Sequence, residues 1–139
     1  MVSKLIYLLD SFALLAYLND EPGGGRVQEV LALAKSHKCR LVMSLINLGE
    51  VLYITERTRG LPAAQAVQAL IESLPLELVE ASRDLILDAA HIKASHALSF
   101  ADAFAVASAM CESAIILTGD PEYQTVDDLV RVEWLIRQT

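Results

Sequence analysis

Short apolar runs alternate with amphipathic stretches along this chain. Residues 4–9, Lys4-Leu5-Ile6-Tyr7-Leu8-Leu9, form an apolar run closed by Asp10, the pattern of a strand buried within a sheet. Residues 11–18 then read as a helix that stops near Asn19-Asp20-Glu21-Pro22. Gly23-Gly24-Gly25 reads as a loop. It is no phosphate cradle, because no strand precedes it and no Gly-Lys-Ser/Thr follows. Between residues 26 and 38, Val27, Val30, Leu31 and Ala34 keep the i, i+3, i+4, i+7 spacing of one helical face. A second strand is predicted over 40–43, with Ser44 placed to cap a helix running through Leu45, Leu48, Leu52 and Thr55 to a stop at Gly60. Leu61-Pro62 opens a helix to about residue 73, with proline suited to the first turn. A third strand follows over 76–79. Ser82 caps a helix to about residue 96, and Ser99 caps another to about residue 112. Residues 114–117 give a fourth strand ended by Thr118-Gly119-Asp120, and the tail over 129–134 offers a fifth. Strands alternating with helices pair in parallel through right-handed crossovers, which predicts a three-layer α/β/α sandwich around a central parallel sheet of four to five strands.

Composition narrows the function classes. At 139 residues the chain is expected to be one domain, 1–139, and with 54% hydrophobic residues it needs no disulfide or metal to fold. Cys39 and Cys111 lie far apart and form no zinc-binding or disulfide framework, so a reducing cytoplasm is expected. The longest apolar stretch, residues 5–18, is interrupted by Asp10 and Ser11 and falls short of the ~20 residues that cross a membrane. Neither a membrane anchor nor a signal peptide is expected. The net charge of −7 excludes a protein that grips nucleic acid through a broad basic face. It does not exclude a metal-dependent nuclease, whose carboxylates are offset by the cations they hold.

The acids carry the chemistry. In an open parallel sheet, sites form outside the carboxyl ends of strands where the strand order reverses. Asp10 and Asp120 each follow a strand directly, and each also stands where a helix cap would. Glu50 lies inside a helix among Ile46, Asn47, Tyr53 and Ile54, a largely apolar face expected to pack on the sheet. A carboxylate there either needs a cation or reaches water at the edge of the stripe. Asp102 is the third residue after Ser99, a capping-box spacing, yet it is the only charge from Ala97 to Cys111 on a helix rich in small apolar residues. Four converging carboxylates would repel one another severely unless divalent cations bound between them. Oxygen-only ligands suit Mg²⁺ or Mn²⁺ over zinc. His91 and His96 read as exposed, since a two-metal hydrolysis needs no imidazole. A phospho-accepting receiver domain is excluded: the third strand leads into Glu80-Ala81-Ser82, and no lysine follows residue 93.

Four segments, Leu8-Leu9-Asp10-Ser11, Asn47-Leu48-Gly49-Glu50-Val51, Leu98-Ser99-Phe100-Ala101-Asp102-Ala103 and Leu117-Thr118-Gly119-Asp120-Pro121-Glu122-Tyr123, together resemble the PIN domain, most of all the VapC-like toxins of toxin–antitoxin pairs. The resemblance runs over nearly the whole chain. It implies a Mg²⁺- or Mn²⁺-dependent endoribonuclease that leaves a 5′-phosphate and a 3′-hydroxyl. It also implies a homodimer and inhibition by a small antitoxin protein. Carried over by position, it makes Asp10, Glu50, Asp102 and Asp120 the metal ligands and catalytic residues. Ser11 and Thr118 become secondary residues that orient a ligand or water, positions that helix capping and a strand-end turn explain equally well. Glu122 is either an outer acid or a solvated first-turn residue. Arg57, two helical turns beyond Glu50 on the same face, is the expected RNA contact. The rival expectation is a PIN-like fold that binds RNA or protein without cutting. Phe12, Leu15 and Leu18 are expected in the core, with an antitoxin groove or dimer seam as the alternative.

Overall fold

In a computed structural model describing residues 4–136, five strands form a single sheet. These are β1 (Leu5–Leu9), β2 (Cys39–Ser44), β3 (Glu77–Val79), β4 (Ile115–Thr118) and β5 (Val132–Trp134), in the order β3-β2-β1-β4-β5 with every pairing parallel. The chain builds outward from β1 to β3, then crosses back to lay β4 on the other flank of β1. The order therefore reverses between β1 and β4, where Leu9 is in register with Leu117.

Helices α1 (Ser11–Leu18) and α2 (Gly24–Lys35) join β1 to β2, α3 (Leu45–Arg59) and α4 (Leu61–Ser73) join β2 to β3, and α5 (Arg83–Ser95) and α6 (Phe100–Glu112) join β3 to β4. A short 3-10 helix, Pro121–Val126, lies between β4 and β5. Strand side chains alternate between two apolar layers, as the pleat demands. Leu9, Leu41, Met43 and Leu117 pack with Leu14, Val30, Val51 and Ile71 beneath α1 to α4. Leu8, Val42 and Ile116 pack with Ala89, Ala103, Val106 and Tyr123 beneath α5, α6 and the 3-10 helix. The expected three-layer α/β/α sandwich is thus formed, with five strands. Ala103, Ala105, Ala107 and Ala109 are all buried, so the small residues of α6 let its backbone approach the sheet closely. Phe12, Leu15 and Leu18 are half-buried against the α1 to α4 layer, consistent with core packing. Among the described residues no helix is long and apolar enough to cross a membrane.

Ser44, Ser82 and Ser99 cap their helices as the spacing predicts, each side-chain oxygen accepting a first-turn N–H. The glycine run departs from expectation. Only Gly23 stays outside the helix, with φ 95°, while Gly24 and Gly25 form the first turn of α2. Gly24 is pressed on α1: a Cβ there would lie 2.5 Å from the Ala16 carbonyl oxygen and 3.0 Å from its carbon. At the other end α2 stops three residues early, because His37 takes a left-handed φ of 59°. Gly24→Ala should therefore force α1 and α2 apart and destabilise the fold by about 2 kcal/mol, lowering Tm by roughly 6–10 °C in a thermal melt. Gly25→Ala, in the same turn with open space around it, should leave Tm unchanged or slightly higher.

Candidate metal centre

The reversal point between β1 and β4 collects the acids. Asp10, 1% exposed, directly follows β1 and is the N-cap of α1. Its Oδ1 accepts the Ala13 N–H at 2.8 Å, and its Oδ2 accepts the Thr118 hydroxyl. Thr118 Oγ1 in turn accepts the Asp120 N–H at 3.0 Å, and Asp120 Oδ1 accepts the Glu122 N–H at 2.9 Å to start the 3-10 helix. Thr118 therefore couples the end of β1 to the turn after β4. Capping and placement in the site coincide at Asp10 and Asp120.

Asp102 arrives from the first turn of α6. Its backbone N–H donates to Ser99 Oγ at 3.1 Å, half of a capping box. The other half is supplied from elsewhere: the Ser99 N–H donates at 3.4 Å to Glu122 Oε2. Relieved of that task, the Asp102 carboxylate accepts the hydroxyl of fully buried Tyr123 at 3.0 Å. Carboxylate oxygens of Asp102, Asp120 and Glu122 all lie within 4.8 Å of one another. Glu122, which spacing leaves undecided between an outer acid and a solvated residue, is exposed and yet a member of this trio.

Glu50 approaches from α3 and takes the edge position, one of the two places its spacing allows. Its helix face is packed only in part: Asn47 is wholly buried, whereas Glu50, Ile46 and Ile54 are half-buried and Tyr53 is 50% exposed. The reason is that α3 rotates Leu48, Val51 and Thr55 inward, leaving Glu50 at the rim. There its charge still bears on Asp102.

Burial pushes Asp10 up to about 7, an effect reinforced by Asp102 and Asp120 and opposed by the hydrogen bonds from Thr118 and Ala13. Asp102 is likewise pushed to about 7, first by burial and then by the charges of Asp120 and Glu50, against the stabilising hydrogen bonds from Tyr123 and Ser99. The Tyr123 phenol is driven well above its ordinary range by burial and by the surrounding carboxylates, so it remains a donor. Several acids held together, two of them desolvated, form a cluster whose repulsion a divalent cation would relieve. The donors are oxygen only, which fits Mg²⁺ or Mn²⁺. The histidines lie elsewhere: His91 is exposed on α5, and His96 is held by the Ile92 carbonyl at 3.0 Å, 3.6 Å from Asp128.

Ser11 is buried, its hydroxyl donating to the Asn47 carbonyl at 3.1 Å and not directed at a carboxylate. Arg57, two turns beyond Glu50, is exposed and its guanidinium lies over the Tyr53 ring at 5.2 Å. Of the other basic residues, Arg40 is paired with Glu77 at 2.8 Å, and Arg59 donates to Asn19 at 3.3 Å. Two residues escape a reading by charge alone, Tyr123 and Asn47. The signal for Tyr123 is its place three residues after Asp120, one 3-10 turn, which aims its hydroxyl back at the site.

Comparison with known proteins agrees with this architecture. The family model for the PIN domain matches residues 7–129. A chain of the VapBC2 assembly from Rickettsia felis, solved bound to a DNA fragment from its promoter, superposes with a TM-score of 0.73 at 17% identity, over 95% of this chain and 100% of that one. A chain of DNA-bound VapBC from Salmonella typhimurium gives 0.72 at 20% identity, over 93% and 97%. VapC20 from Mycobacterium tuberculosis, described as a sarcin-ricin loop cleaving toxin, gives 0.69 at 21% identity, over 88% and 95%. No curated protein sequence matches the chain.

Proposed function

Since this chain belongs to the PIN domain family, we propose that it is a divalent-metal-dependent endoribonuclease and the toxin of a toxin–antitoxin pair. The observation that carries the activity is the trio of Asp102, Asp120 and Glu122 oxygens within 4.8 Å beside buried Asp10, at the sheet's reversal point. In this reading Asp10, Asp102 and Asp120 hold Mg²⁺ or Mn²⁺, with Glu50 and Glu122 closing the site from the solvent side. Metal held by these residues would lower the pKa of a bound water and shield the charge of the scissile phosphate. Thr118 keeps one Asp10 oxygen oriented, and Tyr123 does the same for Asp102. Ser11 acts through Asn47. Tyr53 and Arg57 extend the site along α3 and offer a ring and a cation to unpaired RNA. With a net charge of −7, selection would rest on RNA shape more than on general attraction.

The role as a toxin draws its support from the likeness to chains of toxin–antitoxin assemblies. An antitoxin protein and a second copy of this chain are the partners that reading requires, in the cytoplasm.

The decisive assay incubates total RNA with the purified chain in Mg²⁺, in Mn²⁺ and in EDTA. Cleavage in either metal and none in EDTA is expected, with fragments that carry 5′-phosphates and so accept direct adaptor ligation. Cutting that persists in EDTA, or 5′-hydroxyl ends, would overturn the metal-dependent reading. A folded protein that binds RNA and leaves it whole would make the domain a binding module.

A further inference from the structure

Asn47 lies on α3, three residues before Glu50, and is wholly buried. Its Nδ2 donates to the Ser11 hydroxyl at 3.4 Å and to the Ala101 carbonyl at 3.2 Å. The Ser11 hydroxyl donates back to the Asn47 main-chain carbonyl at 3.1 Å. Ser11 is the residue after Asp10, and Ala101 is the residue before Asp102. A single amide on the helix that carries Glu50 therefore ties together the first turns of the two helices that follow Asp10 and carry Asp102. These three helices belong to three separate crossovers, and the sheet alone does not set the spacing of their N-termini to the accuracy that shared ligands need.

The same amide is a weak choice for stability. Its Oδ1 is buried with no hydrogen-bond partner among the described residues, and the two bonds from Nδ2 are long. A buried acceptor left unpaired is a penalty that an apolar side chain of similar volume would not carry. What asparagine gives here, and leucine cannot, is directional attachment to Ser11 and Ala101 at once.

We propose that Asn47 is a positioning residue that clamps α1 and α6 to α3, and so holds Asp10, Glu50 and Asp102 at the spacing that binds divalent metal. The proposal rests on the metal-centre reading above, and its test separates the two. Mn²⁺ binding to the full chain is followed by electron paramagnetic resonance and calorimetry, alongside thermal melts in EDTA, for the wild type, Asn47→Leu, Ser11→Ala and the double variant. Asn47→Leu is expected to weaken Mn²⁺ binding by about 10–100-fold, the range for loss of a group that orients a ligand. Its metal-free Tm should stay within a few degrees of wild type. Ser11→Ala, which removes one of the two anchor points, should weaken binding less, and adding it to Asn47→Leu should change nothing further. The Ser11→Ala arm carries the test if the leucine variant does not fold. Unchanged Mn²⁺ affinity in both single variants would overturn the role of Asn47 and leave the metal centre standing. Weakened binding that tracks a fall in metal-free Tm would make Asn47 a structural residue only. Absence of Mn²⁺ binding by the wild type would overturn the metal centre, and this inference with it.

Discussion

Asp102→Asn should abolish metal-dependent RNA cleavage, by roughly 10³-fold or more in kcat/KM, while the fold persists. The substitution keeps the shape of the side chain and removes only its charge. Tyr123 can still donate to the remaining carbonyl oxygen, and the cap made by Ser99 uses the backbone N–H of residue 102, which does not change. What disappears is a carboxylate on which burial, Asp120 and Glu50 all act, and whose ionised form calls for a cation. The same reasoning gives the variant a second signature. In EDTA at pH 8 the wild type must keep an ionised carboxylate in a desolvated position, whereas the amide is neutral, so Asp102→Asn should melt higher than wild type. Near pH 5, where the wild-type carboxyl is protonated, the two should melt together. A fluorogenic oligoribonucleotide and a pair of melts read both effects. Lost activity accompanied by a lower Tm at both pH values would assign Asp102 to folding and remove it from the proposed ligand set.

Local spacing was enough to read most of the elements, because the forces that start and stop them are local. Ser44, Ser82 and Ser99 each satisfy a first-turn N–H, and Gly60, with φ 93°, ends α3 where a left-handed residue is required. Asp10 and Asp120 were legible as strand-end acids, although capping and site placement, which the sequence offers as rivals, are combined in single carboxylates. The features that stayed hidden depend on approach between separate crossovers. Gly24 lies in the first turn of α2 where a Cβ would meet Ala16 of α1, a contact no periodicity encodes. Glu122 reaches Ser99 across 23 positions, and this bond frees Asp102 from the capping box that its spacing predicts. The apolar helical neighbours of Glu50 leave open whether it is packed inward or reaches water, and that choice is made by the rotation of α3, with Leu48 and Val51 buried and Glu50 left at the rim.

In the absence of divalent metal, stability should decline as pH rises from about 4 to about 7 and then level off, the reverse of an ordinary acid-labile protein. Asp10 and Asp102 titrate near 7 in the folded chain, whereas an unfolded aspartate titrates near about 3.9. Between those values the folded state holds protons that the unfolded state has released, so each increment of pH favours unfolding. Below the lower value both states are protonated and the advantage of the folded state is complete. Above the upper value both are ionised and the advantage is gone. The total change is on the order of a few kcal/mol, enough to lower Tm by several degrees. Glu77, whose pairing with Arg40 holds it below the ordinary glutamate range, adds an opposing loss only when the pH falls further. Millimolar Mg²⁺ should reverse the decline at pH 8, where the ligands are ionised, and should do little at pH 5, where binding must displace protons. Calorimetric melts over pH 4–9, with EDTA and with Mg²⁺, test both arms. Asp102→Asn, by deleting one of the two titrating groups, should remove about half of the metal-free slope. A wild type whose stability climbs steadily from pH 4 to 8 in EDTA would mean that Asp10 and Asp102 are ionised and satisfied without a cation, and the electrostatic case for the metal centre would fail there.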